Sequence, residues 1–106
     1  ANQELIRRMS EIVDGAVPVD SLLNWEDLYR TIDYIYDDYY THLKSQYSEL
    51  LNEKEIQLCC LLRANFSTKE ISIVSQQSVR TVYQRKSVIR QKLGMEEKAD
   101  IVEFLV

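Results

Sequence analysis

The scarcity of chain breakers is the feature that most limits what this sequence can fold into. The 106 residues include two glycines, Gly15 and Gly94, and a single proline, Pro18. A sheet fold with many tight turns needs such residues to reverse the chain, whereas helices need few of them. Apolar residues make up 45% of the chain, which is enough for the packed core of one small domain. The sequence therefore predicts an all-α fold.

Charge is distributed unevenly along the chain. Residues 1–66 contain six basic and twelve acidic side chains, a net of −6, and residues 96–106 contain one and four, a net of −3. Residues 67–95 contain six basic side chains against one acidic, a net of +5. Although the whole chain carries −4, this cationic block is typical of a local surface that binds a polyanion. Charge alone would fit a solvated helix face equally well.

The residues that most often carry metal or redox chemistry are few. Cys59 and Cys60 are neighbours, and their side chains would point about 100° apart on a helix, so they are badly placed to bridge each other. Their apolar surroundings indicate buried, reduced thiols, which fits a cytoplasmic protein. His42 has no Cys or His nearby to complete a metal site, and we interpret it as a surface or satisfied helix histidine. We expect no metal and no cofactor.

The ends of the sequence carry no targeting pattern. No apolar run approaches the roughly 18 residues that a membrane-spanning helix needs, and the start lacks a signal-peptide pattern. The first residue is Ala1 rather than Met, so we expect a fragment of a longer protein. The sensing region would then lie elsewhere, and the full-length protein could carry a membrane anchor.

The N-terminal half is predicted to be helical. Residues 3–13 have the spacing of a short amphipathic helix, and residues 14–18 read as a linker. Asn24 can cap a second, long helix over residues 25–47, which carries an apolar stripe, and five of the chain's seven tyrosines lie between Tyr34 and Tyr47. Acidic residues among these tyrosines would repel a phosphate backbone, so packing and partner contacts explain the stripe better than stacking on bases. We interpret residues 1–50 as an α-helical connector that can build a dimer.

The C-terminal half has clear helix boundaries. Asn52 can cap a helix, and Asn65 stands where a left-handed residue would end it. Ser67 and Glu70 have the spacing of a capping box at the start of a short helix. A last strong helix follows over about 78–93. Two short helices across a tight polar turn, the second amphipathic and basic, are typical of a helix-turn-helix.

Four segments of this half resemble the LuxR/GerE-type DNA-binding domain of bacterial transcriptional regulators. They are Leu51-Asn52-Glu53-Lys54-Glu55-Ile56, Asn65-Phe66-Ser67-Thr68-Lys69-Glu70-Ile71, Ser78-Val79-Arg80-Thr81-Val82 and Ile89-Arg90-Gln91-Lys92-Leu93-Gly94. The resemblance runs without a gap and implies a four-helix domain over residues 51–106. It implies that the third helix enters the major groove of DNA. It also implies that the fourth, about Lys98 to Leu105, often helps to form a dimer.

The chain departs from the family pattern at three positions. The family usually has Gly where Asn65 stands, Ala where Ser72 stands and an aliphatic residue where Gln77 stands. We therefore expect a looser turn and a different sequence preference. Sigma-factor DNA-binding regions share much of the pattern and remain a related alternative.

Helix geometry predicts which residues of the third helix face outward. If Val79, Val82, Ile89 and Leu93 face the core, the residues opposite them face solvent. The resulting candidates for base contacts are Arg80, Tyr83, Gln84 and Ser87. Gln84 can pair bidentately with adenine, and Arg80 can take guanine or a phosphate. The base-reading positions of the resembling family fall on the same face, at Tyr83, Gln84 and Ser87.

Cations around this face are candidates for phosphate contacts. The predicted set is Thr68, Lys69, Arg85, Arg90 and Lys92. Arg85 could instead bridge to an acidic residue of a neighbouring helix.

These features predict sequence-specific binding of double-stranded DNA by a homodimeric bacterial transcriptional regulator, with RNA polymerase as a further partner to consider. An interaction module that kept the fold but binds protein is the alternative from another class. The outer face of residues 80–92, which is basic and has no acidic residue, favours DNA. Neither a glycine-rich phosphate loop nor a nucleophile–base constellation indicates an enzyme, and no small-molecule substrate is indicated.

Overall fold

Six helices make up the chain over residues 24–106, which the computed structural model describes together with Arg7. They are α1 (Trp25–Ile35), α2 (Tyr39–Tyr47), α3 (Glu53–Arg63), α4 (Thr68–Val74), α5 (Val79–Lys92) and α6 (Ile101–Leu105). The described residues contain no strand, so the all-α prediction is confirmed for this part of the chain. The helix predicted over residues 3–13 and the linker over 14–18 lie outside the described residues, apart from Arg7, which is helical and exposed.

Side-chain caps fix where the helices begin. The side chain of Asn52 accepts the backbone N–H of Glu55 at 2.9 Å, and Glu55 accepts the N–H of Asn52 at 2.8 Å. Ser67 and Glu70 form the same reciprocal pair at 3.1 and 2.8 Å. Each pair satisfies two backbone donors that a helix N-terminus leaves open. The predicted caps are confirmed at Asn24, Asn52, Ser67 and Ser78.

Left-handed residues follow four of the helices, namely α1, α3, α4 and α5. Asn65 (φ 68°) follows α3 and Gly94 (φ 69°) follows α5, both as predicted. Gln76 (φ 56°) follows α4, and the next N–H, from Gln77, donates to the carbonyl of Ser72 at 2.9 Å. This bond closes the turn between α4 and α5. The expectation of a looser turn than in the resembling family stays a prediction.

The continuous helix predicted over residues 25–47 is broken. Asp37 and Asp38 take left-handed conformations, with φ of 57° and 61°, and separate α1 from α2. The carboxylate of Asp33 in α1 accepts both the N–H and the hydroxyl of Thr41, at 2.9 and 2.6 Å, and so holds the start of α2. A straight helix of this length would extend about 34 Å and carry Leu43 away from the core. The break instead folds α2 back so that Leu43 is buried.

One hydrophobic core runs through all six described helices. Its buried members include Leu28 and Ile32 of α1, Leu43 of α2, Ile56, Cys59 and Leu61 of α3, Ile71 and Val74 of α4, Val82 and Ile89 of α5, and Ile101 of α6. The predicted boundary at residue 50 thus separates an acidic, tyrosine-rich segment from the segment that resembles a DNA-binding domain. The core itself is continuous across it.

Two features of the C-terminal helices differ from the sequence predictions. α6 begins at Ile101 rather than near Lys98, because Lys98 is left-handed (φ 70°) and Asp100 caps the helix by accepting the N–H of Glu103 at 3.1 Å. Val79 was predicted to face the core, but it is 40% exposed. It is the first residue of α5, whereas Val82, one turn later, is fully buried. None of the helices formed by the described residues has the length and hydropathy needed to cross a membrane.

Candidate nucleic-acid interface

α4 and α5 pack closely together across the four-residue segment 75–78. Ile71 and Val74 of α4 and Val82 and Ile89 of α5 are each at most 1% exposed, so the inner sides of both helices are fixed in the core. Fixing one side of α5 determines which of its residues face solvent. This packing positions the candidate site.

The four predicted base-contact residues lie together on the solvent side of α5. Arg80, Tyr83, Gln84 and Ser87 are all exposed, and the Tyr83 ring is 56% exposed. Their three- and four-residue spacing places them opposite Val82 on one helical face. The result is a surface of one cation and three hydrogen-bonding side chains.

The first turn of α4 carries two of the predicted phosphate contacts, Thr68 and Lys69. Lys69 is exposed and Thr68 is half-buried in the first turn. Glu70, the one acidic residue between 67 and 95, is held in the capping box with Ser67. Neither α5 nor the turn before it therefore carries a carboxylate that would repel a phosphate backbone.

Lys92, predicted as a phosphate contact, has a different partner. Its Nζ lies 2.7 Å from Oε1 of Glu55, whose side chain is almost completely buried. The same oxygen accepts the backbone N–H of Asn52. Lys92 therefore neutralises a buried carboxylate and ties α5 to the start of α3, because leaving that carboxylate unpaired would be costly.

Arg85 and Arg90 also turn away from the outer face. Nε of Arg90 donates to the carbonyl of Ala99 at 2.7 Å, which fixes the segment before α6. Arg85 lines a cleft that Trp25 also lines, and its Nε is buried without a hydrogen-bond partner. The alternative predicted for Arg85, an ion pair with a neighbouring helix, is wrong within the described residues.

Lys86 and Lys98 were not among the predicted phosphate contacts, and Lys86 lies beside the outer face. Lys86 and Lys98 line a cleft of about 400 Å³ together with Arg90 and Asp100. Lys86 Nζ stands 5.8 Å from the centre of the Tyr83 ring. Burial lowers the pKa of Lys86, and the charge of Arg90 lowers it further, while Asp100 acts in the opposite direction. The sequence could have indicated Lys86 as a contact, because a long lysine stem can pack on an apolar surface while its amine reaches solvent.

The tyrosines of the N-terminal half serve packing, as predicted. Tyr29 stacks on Tyr40 with ring centres 3.9 Å apart, and its hydroxyl donates to Glu53 at 2.6 Å. Tyr39 is buried, whereas Tyr34 is 79% exposed. Most of the aromatic stripe is thus used inside the chain and does not form a platform for bases.

Cys59 and Cys60 are free and fully buried, as predicted. Burial raises the pKa of Cys59 to about 12 and also raises that of Cys60. A thiol that keeps its proton is a poor nucleophile and metal ligand. In the described part of the chain no group of three or more His, Cys, Asp or Glu side chains is arranged to hold a metal ion, and His42 is exposed.

Comparison of this chain with protein-family models, with curated proteins and with solved structures gave no match.

Proposed function

We propose that this chain is a sequence-specific double-stranded DNA-binding module of a bacterial transcriptional regulator, with α4 and α5 as a helix-turn-helix. The observation that carries the proposal is the outer face of α5. Arg80, Tyr83, Gln84 and Ser87 are exposed there, on a helix whose opposite side is buried. A rigid helix that presents such side chains without acidic neighbours has the chemistry of a major-groove reader.

The side chains of this face divide into two roles. Gln84 can pair bidentately with N6 and N7 of adenine, and Tyr83 and Ser87 can donate or accept hydrogen bonds at base edges. Lys69 and Thr68 at the start of α4, with Lys86 and Lys98 on the other flank, supply contacts to phosphates. Arg80 can serve either role. Arg90 and Lys92 are left out of the phosphate set because each is bonded elsewhere in the fold, and Arg85 is left out because it lines a cleft behind the outer face.

Selection of bound sequences from a random duplex pool tests the proposal. We expect an enriched motif, and an affinity that falls as salt rises with a log–log slope of about −3 to −4 for roughly four neutralised phosphates. A pool that yields no motif, together with an affinity that does not depend on salt, would refute DNA binding. An enriched motif with half-sites one helical turn apart would also support a dimer on DNA.

We propose that the chain binds DNA as a homodimer through the surface around α6. Phe104 is 47% exposed beside a groove of about 350 Å³ that Met95 and Ala99 line. Glu96, Asp100 and Glu103 line the rest of this groove. An exposed aromatic side chain next to a groove with apolar lining residues is suited to a two-fold contact, in which each copy offers both elements. A single small module buries little DNA surface, so specific binding usually needs two copies.

A protein-interaction module is the second candidate, and the exposed Tyr34 favours it. Tyr34 is 79% exposed and Ile35 beside it is 41% exposed. Adjacent exposed apolar residues mark surfaces for partners more often than surfaces for DNA. A Tyr34→Ala variant can be tested for binding to the duplex pool. An unchanged affinity would mean that the surface around Tyr34 does not contact DNA.

A further inference from the structure

A cleft of about 340 Å³ lies behind the outer face of α5, between α1, α3, α4 and α5. Its floor consists of Leu58, Leu61, Ile71 and Val74, each at most 4% exposed. Trp25 is half-buried and forms one wall. The volume falls at the lower end of the range for small-molecule sites. Polar side chains make up most of the remaining lining, namely Lys54, Gln57, Ser75, Gln76, Gln77 and Arg85.

Among the described residues, the charged side chains that line this cleft are both basic. Lys54 and Arg85 line it, and none of the described residues that line it is Asp or Glu. Nε of Arg85 is buried and has no hydrogen-bond acceptor among the described residues. A guanidinium keeps its charge at any physiological pH, and buried donors nearly always have an acceptor. Arg85 therefore has one buried N–H donor for which the described chain offers no acceptor.

Arg63 provides a comparison within the same molecule. Its Nε is also buried without an acceptor, but its guanidinium lies 4.1 Å from the centre of the Tyr36 ring. The ring face compensates the charge. Asp37 and Arg63 also line a second, separate cleft together. For Arg85, the described part of the chain offers neither an aromatic face over the guanidinium nor a carboxylate.

We propose that the cleft lined by Trp25 and Arg85 binds a small organic carboxylate. The apolar body of the ligand lies mainly against the indole of Trp25, because the aliphatic side chains below it are at most 4% exposed. Its carboxylate accepts from Arg85, and Lys54 at the rim adds a second positive charge. A carboxylate fits better than a phosphate, because a doubly charged and more strongly hydrated group would lose more on entering a cleft with an aliphatic floor.

Trp25 makes this site directly observable, because it is the single tryptophan of the chain. We would titrate the full chain with cyclohexanecarboxylate and follow both the Trp25 fluorescence and the NMR signal of the Arg85 Nε–H group. Cyclohexanecarboxamide has the same body without the charge, and acetate has the charge without the body. We expect saturation by the carboxylate with a dissociation constant at or below about 1 mM, and at least tenfold weaker binding of both controls.

Substitutions separate a built site from general electrostatic attraction. Arg85→Gln should weaken binding of cyclohexanecarboxylate at least tenfold and Lys54→Gln severalfold. Arg30→Gln, which removes an exposed charge of α1 that does not line the cleft, should change it less than twofold. If Arg85→Gln proves unfolded, the comparison of carboxylate with carboxamide on the unchanged chain and the Lys54→Gln variant still decide the question.

Equal binding of the carboxamide, or an Arg85 Nε–H signal that does not move as the carboxylate is added, would overturn the proposal. Absence of saturable binding by the carboxylate would do the same. None of these measurements uses DNA, so their outcome is independent of the proposed DNA-binding function.

Discussion

Basic residues with the same chemistry have different roles here according to the face on which they lie. Arg80 and Lys69 are exposed, whereas Lys92 pairs with the buried Glu55 and Arg90 bonds to a main-chain carbonyl. The sequence could predict the outward face of α5 because a helix repeats every 3.6 residues. It could not predict the partner of Lys92, because Glu55 lies 37 positions away and meets it only through the packing of α3 against α5.

Substitution of Gln84 and of Lys69 should separate base reading from phosphate contact. Gln84→Ala removes a side chain that can pair with one base, so we expect a changed selected motif and a loss of about 1–3 kcal/mol at the cognate base pair. Lys69→Ala should weaken binding to all sequences alike and reduce the magnitude of the salt slope by about one unit. Both are measured by equilibrium binding to duplexes over a salt series. A Gln84→Ala motif identical to that of the unchanged chain would mean that another face of α5 meets the bases.

Lys92→Ala should destabilise the fold without changing how the affinity for DNA depends on salt. Removing the amine leaves the carboxylate of Glu55 buried with only its main-chain partner. We expect the free energy of unfolding, measured in urea, to fall by about 1–3 kcal/mol, since the lysine side chain itself is about one-third exposed. Lys44→Ala is the matched control. It breaks an exposed pair, Lys44 with Glu53 at 3.5 Å, and should have a much smaller effect. A salt slope reduced by Lys92→Ala would restore Lys92 to the phosphate contacts.

Helix boundaries were largely predictable because caps are local. A serine or asparagine and the glutamate three residues later suffice to mark the start of a helix, and these signals located α3 and α4. The break between α1 and α2 was not predictable from spacing, because apolar residues recur at helical intervals straight through it. Its cause is the burial of Leu43 together with Leu28 and Ile32, which is a property of the packed core.

Asp33→Ala tests how the break between α1 and α2 is held. The carboxylate accepts two hydrogen bonds from Thr41 in the first turn of α2, while Asp38, the residue before that helix, makes no side-chain cap. Loss of a helix cap costs about 0.5–2 kcal/mol, and we expect a loss of that size in urea unfolding. Glu49→Ala removes an exposed acid outside the helices and should change stability by less than about 0.5 kcal/mol. Equal effects of the two substitutions would show that Asp33 does not hold α2.

At the scale of the whole molecule, the core unites parts of the chain that the sequence separates. The sequence identified most core residues of α3, α4 and α5 from their spacing. The sequence did not predict that α1 and α2 pack against α3, because a contact between two distant segments leaves no periodic signal in the sequence of either segment. Cys59 and Cys60 lie in this shared interior with no exposed surface.

The two buried thiols should make the fold sensitive to alkali. Burial raises the pKa of Cys59 to about 12 and raises that of Cys60 as well, whereas an unfolded chain releases thiol protons near pH 8.5. The stability that comes from retaining these protons is fully present below about pH 8.5, and it is lost as pH rises toward 12. We expect the free energy of unfolding, measured by urea unfolding at each pH, to fall by about 1–2 kcal/mol per thiol between pH 8 and pH 10. A Cys59→Ala, Cys60→Ala double variant should have a much shallower fall over this interval, and the hydroxyls of the buried Tyr29 and Tyr39, whose pKa values burial also raises, account for the remainder. The same steep fall in the double variant would assign the effect to other groups.

The surface proposed to join two copies on DNA can be tested in the chain of residues 1–106. The apolar stripe of the N-terminal half, an attractive dimer surface from the sequence, is largely used in the monomer, since Leu28, Tyr29 and Leu43 are buried. A truncated chain that begins at residue 50 would uncover their partners in α3, so it would confuse loss of assembly with loss of folding. Single substitutions avoid this problem.

Phe104→Glu and Tyr34→Glu are matched changes of exposed aromatic residues on different surfaces. Phe104→Glu adds a carboxylate to a groove that already holds Glu96 and Asp100, so a second copy would be repelled there. We expect this variant to lose cooperative binding to a duplex with two half-sites and to shift toward the monomer in sedimentation equilibrium, while it binds a single half-site as the unchanged chain does. Tyr34→Glu should retain the dimer. If Tyr34→Glu abolishes cooperativity and Phe104→Glu does not, the contact lies on α1. If the unchanged chain remains a monomer both at high concentration and on the two-site duplex, the homodimer proposal fails.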